Sequence, residues 1–144
     1  MNIKVKKLNE NAKLPFRATS GSAGADLFAR IEHTVRLEPS GRELIPTGLS
    51  LEIPEGFGGF IFPRSSLASK HGVSLSNCVG VIDSDYRGEL KIPVINHGTD
   101  AFEIGDGDRI AQLVVMPFCT AEFSIDNELS VTERGDGGFG STGA

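Results

Sequence analysis

An all-β domain with one short helix is the fold class that this sequence predicts, and three observations carry it. Apolar residues recur at every second position, turn-forming clusters arrive at short intervals, and only one stretch has helix signals. The length of 144 residues suits one domain, residues 1–144, around one core. Many short strands with regular turns point to a sandwich or barrel.

Ile3 and Val5 suggest a short first strand. From Leu27 to Leu37, the positions Leu27, Ala29, Ile31, Val35 and Leu37 are apolar. Arg30, Glu32, Thr34, Arg36 and Glu38 between and after them are polar, with Phe28 the exception. Strict alternation marks a strand with one buried face. Leu49, Leu51 and Ile53 repeat the pattern, as do Cys119, Ala121, Phe123 and Ile125. Gly56 to Phe62, Val79 to Asp83, Leu90 to Ile95 and Arg109 to Met116 read as further strands. Turn signals separate them at 38–41, 54–56, 96–98 and 105–107. The helix is expected over Ser65–His71, with a serine capping its start and Gly72 supplying a left-handed stop.

The net charge of −5 disfavours a protein that coats DNA or RNA, because binding a polyanion draws on an excess of Lys and Arg. No apolar run is long enough for a membrane span, and no apolar segment follows the charged start as in a signal peptide. Cys78 and Cys119 have neither disulfide-framework nor zinc spacing. They are expected to be buried free thiols, and a cytoplasmic location follows from that reading.

Residues 126–144 form a tail, and its last part, 134–144, holds five glycines and one large apolar residue, Phe139. Such a segment cannot order itself by burial. It is either a frayed end or a flexible flap ordered by a ligand, with Arg134 for charge and Phe139 for stacking. Gly135-x-Gly137-x-x-Gly140 fits a dinucleotide-binding glycine pattern, but no strand–helix–strand unit surrounds it. Arg134-Gly135-Asp136 is a coincidental cell-adhesion tripeptide. Asp83-Ser84-Asp85 resembles the start of a calcium loop, yet Arg87 stands where an oxygen ligand is required. The segment is then a plain turn or a hairpin tip presenting a carboxylate and a tyrosine. Pro63-Arg64-Ser65-Ser66-Leu67-Ala68 sets a guanidinium and two hydroxyls at the helix start, which suits an anion. His33, His71 and His97 form no catalytic or metal spacing.

Taken in order, five segments resemble the five motifs of the trimeric dUTPases. They are Ala23-Gly24-Ala25-Asp26-Leu27, Pro63 to Ala68, Asn77 to Glu89, Arg109-Ile110-Ala111-Gln112-Leu113 and Arg134 to Gly143. Ser66 departs from the glycine common in the second motif. The resemblance implies a distorted jelly-roll-like β-barrel that assembles as a homotrimer with sites shared between subunits. It implies hydrolysis of dUTP to dUMP and pyrophosphate with Mg²⁺, which limits uracil in DNA and supplies dUMP for thymidylate. Asp83 then matches the general base that activates water toward the α-phosphorus. Asp26 would meet Mg²⁺ only through a water. Arg64, Ser65, Ser66 and Gln112 would hold phosphate oxygens. Asn77, Gly80, Val81 and Ile82 would read uracil, with Lys91 contributing backbone. Tyr86 would pack on the deoxyribose and exclude a 2′-hydroxyl. Arg134 would bind the γ-phosphate, with Phe139 stacking on the base and Gly140 and Ser141 beside it. Two other readings share the scaffold, a dCTP deaminase and a non-catalytic nucleotide-binding protein. No clear second acid for deamination is present, and Asp83 argues against the second reading.

Overall fold

The structure is a computed structural model, and it describes residues 1–138. Eleven strands and one helix follow in order: β1 (Lys4–Lys7), β2 (Ala25–Phe28), β3 (Val35–Leu37), β4 (Arg42–Pro46), β5 (Leu49–Glu52), β6 (Phe57–Phe62), α1 (Ser65–His71), β7 (Val73–Leu75), β8 (Gly80–Ile82), β9 (Lys91–Asn96), β10 (Phe102–Ile104) and β11 (Arg109–Pro117). Among the described residues they make four sheets, ordered β2-β11-β6-β8, β4-β9-β7, β1-β5 and β3-β10. Every pairing is antiparallel. The result is a jelly-roll-like β fold around one apolar cluster, in which Leu27, Ile45, Ile61, Leu90, Ile92, Val94 and Ile104 are nearly inaccessible.

The alternation from Leu27 to Leu37 does not make one strand. Its burial holds at both ends, with Leu27 and Leu37 inaccessible. Between them the chain changes sheets: the Ala29 N–H donates to the Asp108 carbonyl, and the Arg30 N–H donates to the Pro46 carbonyl. A corner of this kind keeps the side-chain period while the backbone takes new partners.

Other expectations also need correction. Cys119 to Ile125 forms no strand, and Phe123 and Ile125 are fully exposed, because no sheet edge of the same chain takes them up. Cys78 and Cys119 are both exposed rather than buried. The helix N-cap is Arg64, with no side-chain cap bond, so no serine fills that role. The stop is as expected: Gly72 is left-handed at φ 68°. Three strands carry too little pattern to be read in advance. β4 buries only Ile45, while β7 and β10 have three residues each.

One surface ion pair fixes the corner near Ile31. The Asp106 carboxylate accepts the Ile31 N–H at 3.0 Å and the Arg30 guanidinium at 3.0 Å. The Ile31 N–H above all holds this carboxyl below its ordinary pKa, against the opposing effect of burial, with Arg30 and then Lys13 adding to the lowering. A lowered native pKa adds stability above the unfolded pKa and loses it as pH falls through the folded value. Asp106→Asn keeps an acceptor but not the charge. The variant is expected to melt below the parent at pH 7, with the gap closing below about pH 4. Thermal midpoints measured across that range check it, and a pH-independent gap would contradict it.

Candidate active site

Two cavities hold most of the residues singled out from the sequence. The first, about 400 Å³, is lined by Leu44, Val81, Ile82, Asp83, Tyr86, Glu89, Leu90 and Lys91. It lies against the segment that joins β8 to β9; these strands belong to different sheets, so the expected hairpin is a hairpin-like turn between sheets. Gly80 is buried at the start of β8, against Ile61 and close to the Asn77 amide. The Tyr86 ring lies against Gly88, where any Cβ would overlap the ring, and its hydroxyl donates to the Glu89 carbonyl at 3.1 Å. Asp83 is exposed, and it also borders a larger open cavity of about 610 Å³ with Glu55, Asp85 and Arg87.

The hairpin is polar and solvent-facing, so packing alone would not fix it. It is tied instead to the turn before β5. The buried Thr47 hydroxyl and the Thr47 N–H both donate to the Leu90 carbonyl, at 2.7 and 3.1 Å. The Leu90 N–H donates to the Leu49 carbonyl at 2.8 Å. The Gly48 N–H donates to the Glu89 carboxylate at 2.8 Å, and the Ser50 hydroxyl to the Arg87 carbonyl at 2.7 Å. Arg87 closes the tip by donating to the Ser84 carbonyl at 2.6 Å.

The second cavity, about 370 Å³, brings together Gly24, Asp26, Arg64, Ser65, Ser66, Arg109 and Gln112. Asp26 on β2 accepts from Arg64 Nε at 2.9 Å and from Arg109 Nη1 at 3.4 Å. Its side chain is only 15% exposed, so two guanidinium groups hold a shielded carboxylate. Arg64 Nη2 has no acceptor among the described residues, which leaves part of its fork for an anion. The Ser65 and Ser66 hydroxyls are likewise exposed and unbonded among these residues. Gln112 on β11 donates to the Pro63 carbonyl at 3.0 Å and lies flat over Gly24, where a Cβ would overlap its amide. Arg109 was given no role from the sequence. Its signal was present, since it opens the same short segment that contains Gln112.

Arg134 donates to the Gly137 carbonyl at 2.8 Å within the tail and lines neither cavity. Phe139, Gly140 and Ser141 lie outside the described residues.

The two cavities sit at opposite ends of β6. Ile82 pairs with Gly59, so Asp83 falls level with Gly58. Arg64 follows Gly58 by six residues and is itself extended. At roughly 3.3 Å per residue the two ends are about 20 Å apart.

A family model described as dUTPase matches residues 10–143. The deoxyuridine 5'-triphosphate nucleotidohydrolase of Desulfitobacterium hafniense is 51% identical over 147 residues, covering 99% of this chain and 97% of that protein. Among solved structures, a dUTPase of Staphylococcus bacteriophage 80alpha with dUpNHpp is similar at a TM-score of 0.90 and 33% identity, over 99% of both chains. A mutant dUTPase of phage phi11 of S. aureus, described for its coordination of a structural Mg(II) ion, is similar at a TM-score of 0.81 and 29% identity, over 91% of this chain and all of that one. By fold and by sequence over nearly its whole length, this chain belongs to the dUTPase family.

Proposed function

We propose that this protein hydrolyses dUTP to dUMP and pyrophosphate, acting as a single β domain with Asp83 as general base. One observation carries the reading: Asp83 stands at the rim of a cavity walled by the β8–β9 hairpin and Tyr86. Uracil is read by the hairpin backbone around Gly80, Val81 and Ile82, with Asn77 and Lys91 at its edges. Fixed backbone donors and acceptors suit one base edge, and a mismatched edge leaves buried groups unpaired. The ties from Thr47, Gly48 and Ser50 keep those groups in place before substrate arrives. Tyr86 packs on the deoxyribose, and Asp83 orients and deprotonates a water for in-line attack on the α-phosphorus. Cleavage between the α- and β-phosphates releases pyrophosphate.

Arg64, Ser65, Ser66 and Gln112 hold the phosphates, with Arg109 beside them. Mg²⁺ fits this site as a companion of the substrate. Among the described residues there is no cluster of three or more ligating side chains, and both Asp26 oxygens are engaged by arginines. Mg²⁺ prefers phosphate oxygens and waters, so Asp26 would act on it through a water. When bound, the ion neutralises charge on the triphosphate. The tail closes the site, Arg134 on the γ-phosphate and Phe139 over the base, with Gly140 and Ser141 alongside.

The working form is a homotrimer with each site shared between subunits. Two features support this. The separation along β6 calls for the cradle of one chain to meet the hairpin of another. The segment after β11 also exposes Phe123, Ile125, Leu129 and Val131, each at 89% or more, which a neighbouring subunit would cover. No helix among the described residues is long and apolar enough to cross a membrane. We place the enzyme in the cytoplasm, where it limits uracil incorporation into DNA and supplies dUMP for thymidylate.

Asp83→Asn is expected to bind dUpNHpp as the parent does while losing about 10²–10⁴-fold in turnover. Calorimetry and pyrophosphate release check it, and undiminished turnover removes Asp83 as the base. Tyr86→Ala is expected to lower the preference for dUTP over UTP, read as the ratio of kcat/KM values. An unchanged ratio means that the sugar is sensed elsewhere.

Subunit sharing has its own test. Asp83→Asn and Arg64→Gln chains, each inactive alone, are mixed 1:1 and refolded. Random assembly into closed trimers gives about a quarter of sites with both residues intact, if they come from different chains. Activity is expected to return to about that fraction. Activity at the level of the parents, with mixing confirmed by mass, shows that both residues serve from one chain.

A further inference from the structure

The phosphate cradle is carried on a helix that has little to hold it. None of the seven residues of α1 is buried, and only Leu67 packs in part against the core. So short a helix is not stable by itself and takes its position from contacts elsewhere. At its front, Gln112 holds the Pro63 carbonyl, and Asp26 holds Arg64.

The back of the helix is fixed by backbone on backbone. A Cβ at Gly72 would stand 2.5 Å from the Gly98 nitrogen and 2.8 Å from its Cα. A Cβ at Gly98 would stand 2.5 Å from the His71 carbonyl oxygen. No side chain fits on either face of that contact. The His97 N–H donates across it to the Gly72 carbonyl at 2.9 Å. The 96–98 turn is itself anchored by Asn96, which is 0% exposed. Its Oδ1 accepts the Gly98 N–H at 2.8 Å, and its amide donates to the Leu37 and Asp100 carbonyls at 3.0 and 2.8 Å. Gly98 therefore joins the free end of α1 to the most buried polar side chain of the fold.

We infer that Gly98 is a positioning residue for the phosphates: it touches no substrate, but its missing Cβ lets α1 dock where Arg64, Ser65 and Ser66 face the second cavity. This rests on the reading of that cavity as the phosphate site. Gly98 has no need of a left-handed backbone, so Gly98→Ala tests packing and not backbone strain. The added methyl presses on the His71 carbonyl and more weakly on Asn96 Oδ1, and displaces the end of α1.

The experiment compares two ligands by calorimetry with Mg²⁺ present. The non-hydrolysable dUpNHpp reads hairpin and cradle together, and dUMP reads mainly the hairpin, which Gly98 does not touch. For Gly98→Ala, dUpNHpp is expected to weaken by about ten- to a hundredfold, while dUMP stays within about twofold, since a misplacement near 1 Å is enough for losses of that order. Gly72→Asn approaches the same contact from the helix side with a residue that tolerates positive φ, and the same split is expected. A general loss of structure would weaken both ligands together. Unchanged dUpNHpp binding, equal weakening of both ligands, or failure of both variants to fold overturns the positioning role. Arg64→Gln separates the two levels. If it too binds dUpNHpp as the parent does, the phosphate reading fails. If it weakens dUpNHpp and Gly98→Ala does not, only the inference about Gly98 fails.

Discussion

Strand β6 is hydrogen-bonded on both sides, to β11 and to β8, and the site is laid out along it. Its lower end meets the strand that leads into Asp83, and its upper end runs directly into Arg64 and α1. A strand paired on two edges is held in register by two ladders at once. The pairing of β6 with β8 thus sets where along the sheet Asp83 and Arg64 enter it, one near each end of β6. Gly58 and Gly59 on this strand are buried, and a Cβ at Gly59 would press on Ile53 and Leu113. The core closes tightly over β6 at these two positions.

Polar groups do the positioning around this apolar frame. The inaccessible Thr47 and Asn96 each tie a functional segment to the body, Thr47 the hairpin and Asn96 the turn behind α1. No buried side-chain nitrogen or oxygen among the described residues lacks a partner. Each carbonyl that Asn96 satisfies would cost about 1–3 kcal/mol if left buried and unbonded. That penalty makes the turn geometry narrow, so its effect on the helix is directional. Apolar packing alone would tolerate small slides of either segment.

Much of this layout was legible in the sequence, and the gaps have physical causes. Period-two alternation located β2 and β5, and β2 shows it in its burial as well, while β11 was read from a run of apolar residues. Across Leu27 to Leu37 the same signal reported burial but not partnership, and the corner between two sheets was invisible to it. β4 was missed since Leu44 and Glu43 face outward and leave one buried residue to read. At Cys119 to Ile125 the alternation is real but has no partner edge among the described residues, and pattern alone does not say where a partner comes from. The residues grouped by motif do gather in two cavities, as Asp26, Arg64 and Gln112 show. Their division between opposite ends of β6 depends on register, which sequence spacing does not contain.

The exposed apolar stretch after β11 also bears on how the molecule is made. Synthesis runs from the N-terminus, and domains fold as units in that order. β11 pairs with both β2 and β6, so the central sheet is complete only once Pro117 has emerged. Phe123, Ile125, Leu129 and Val131 therefore leave the ribosome after every strand of the body. A segment prone to stick is absent while the core is still open, and cannot compete with the native strands for their edges. The order of synthesis thereby delays this sticky segment until all the strands of the body have been made.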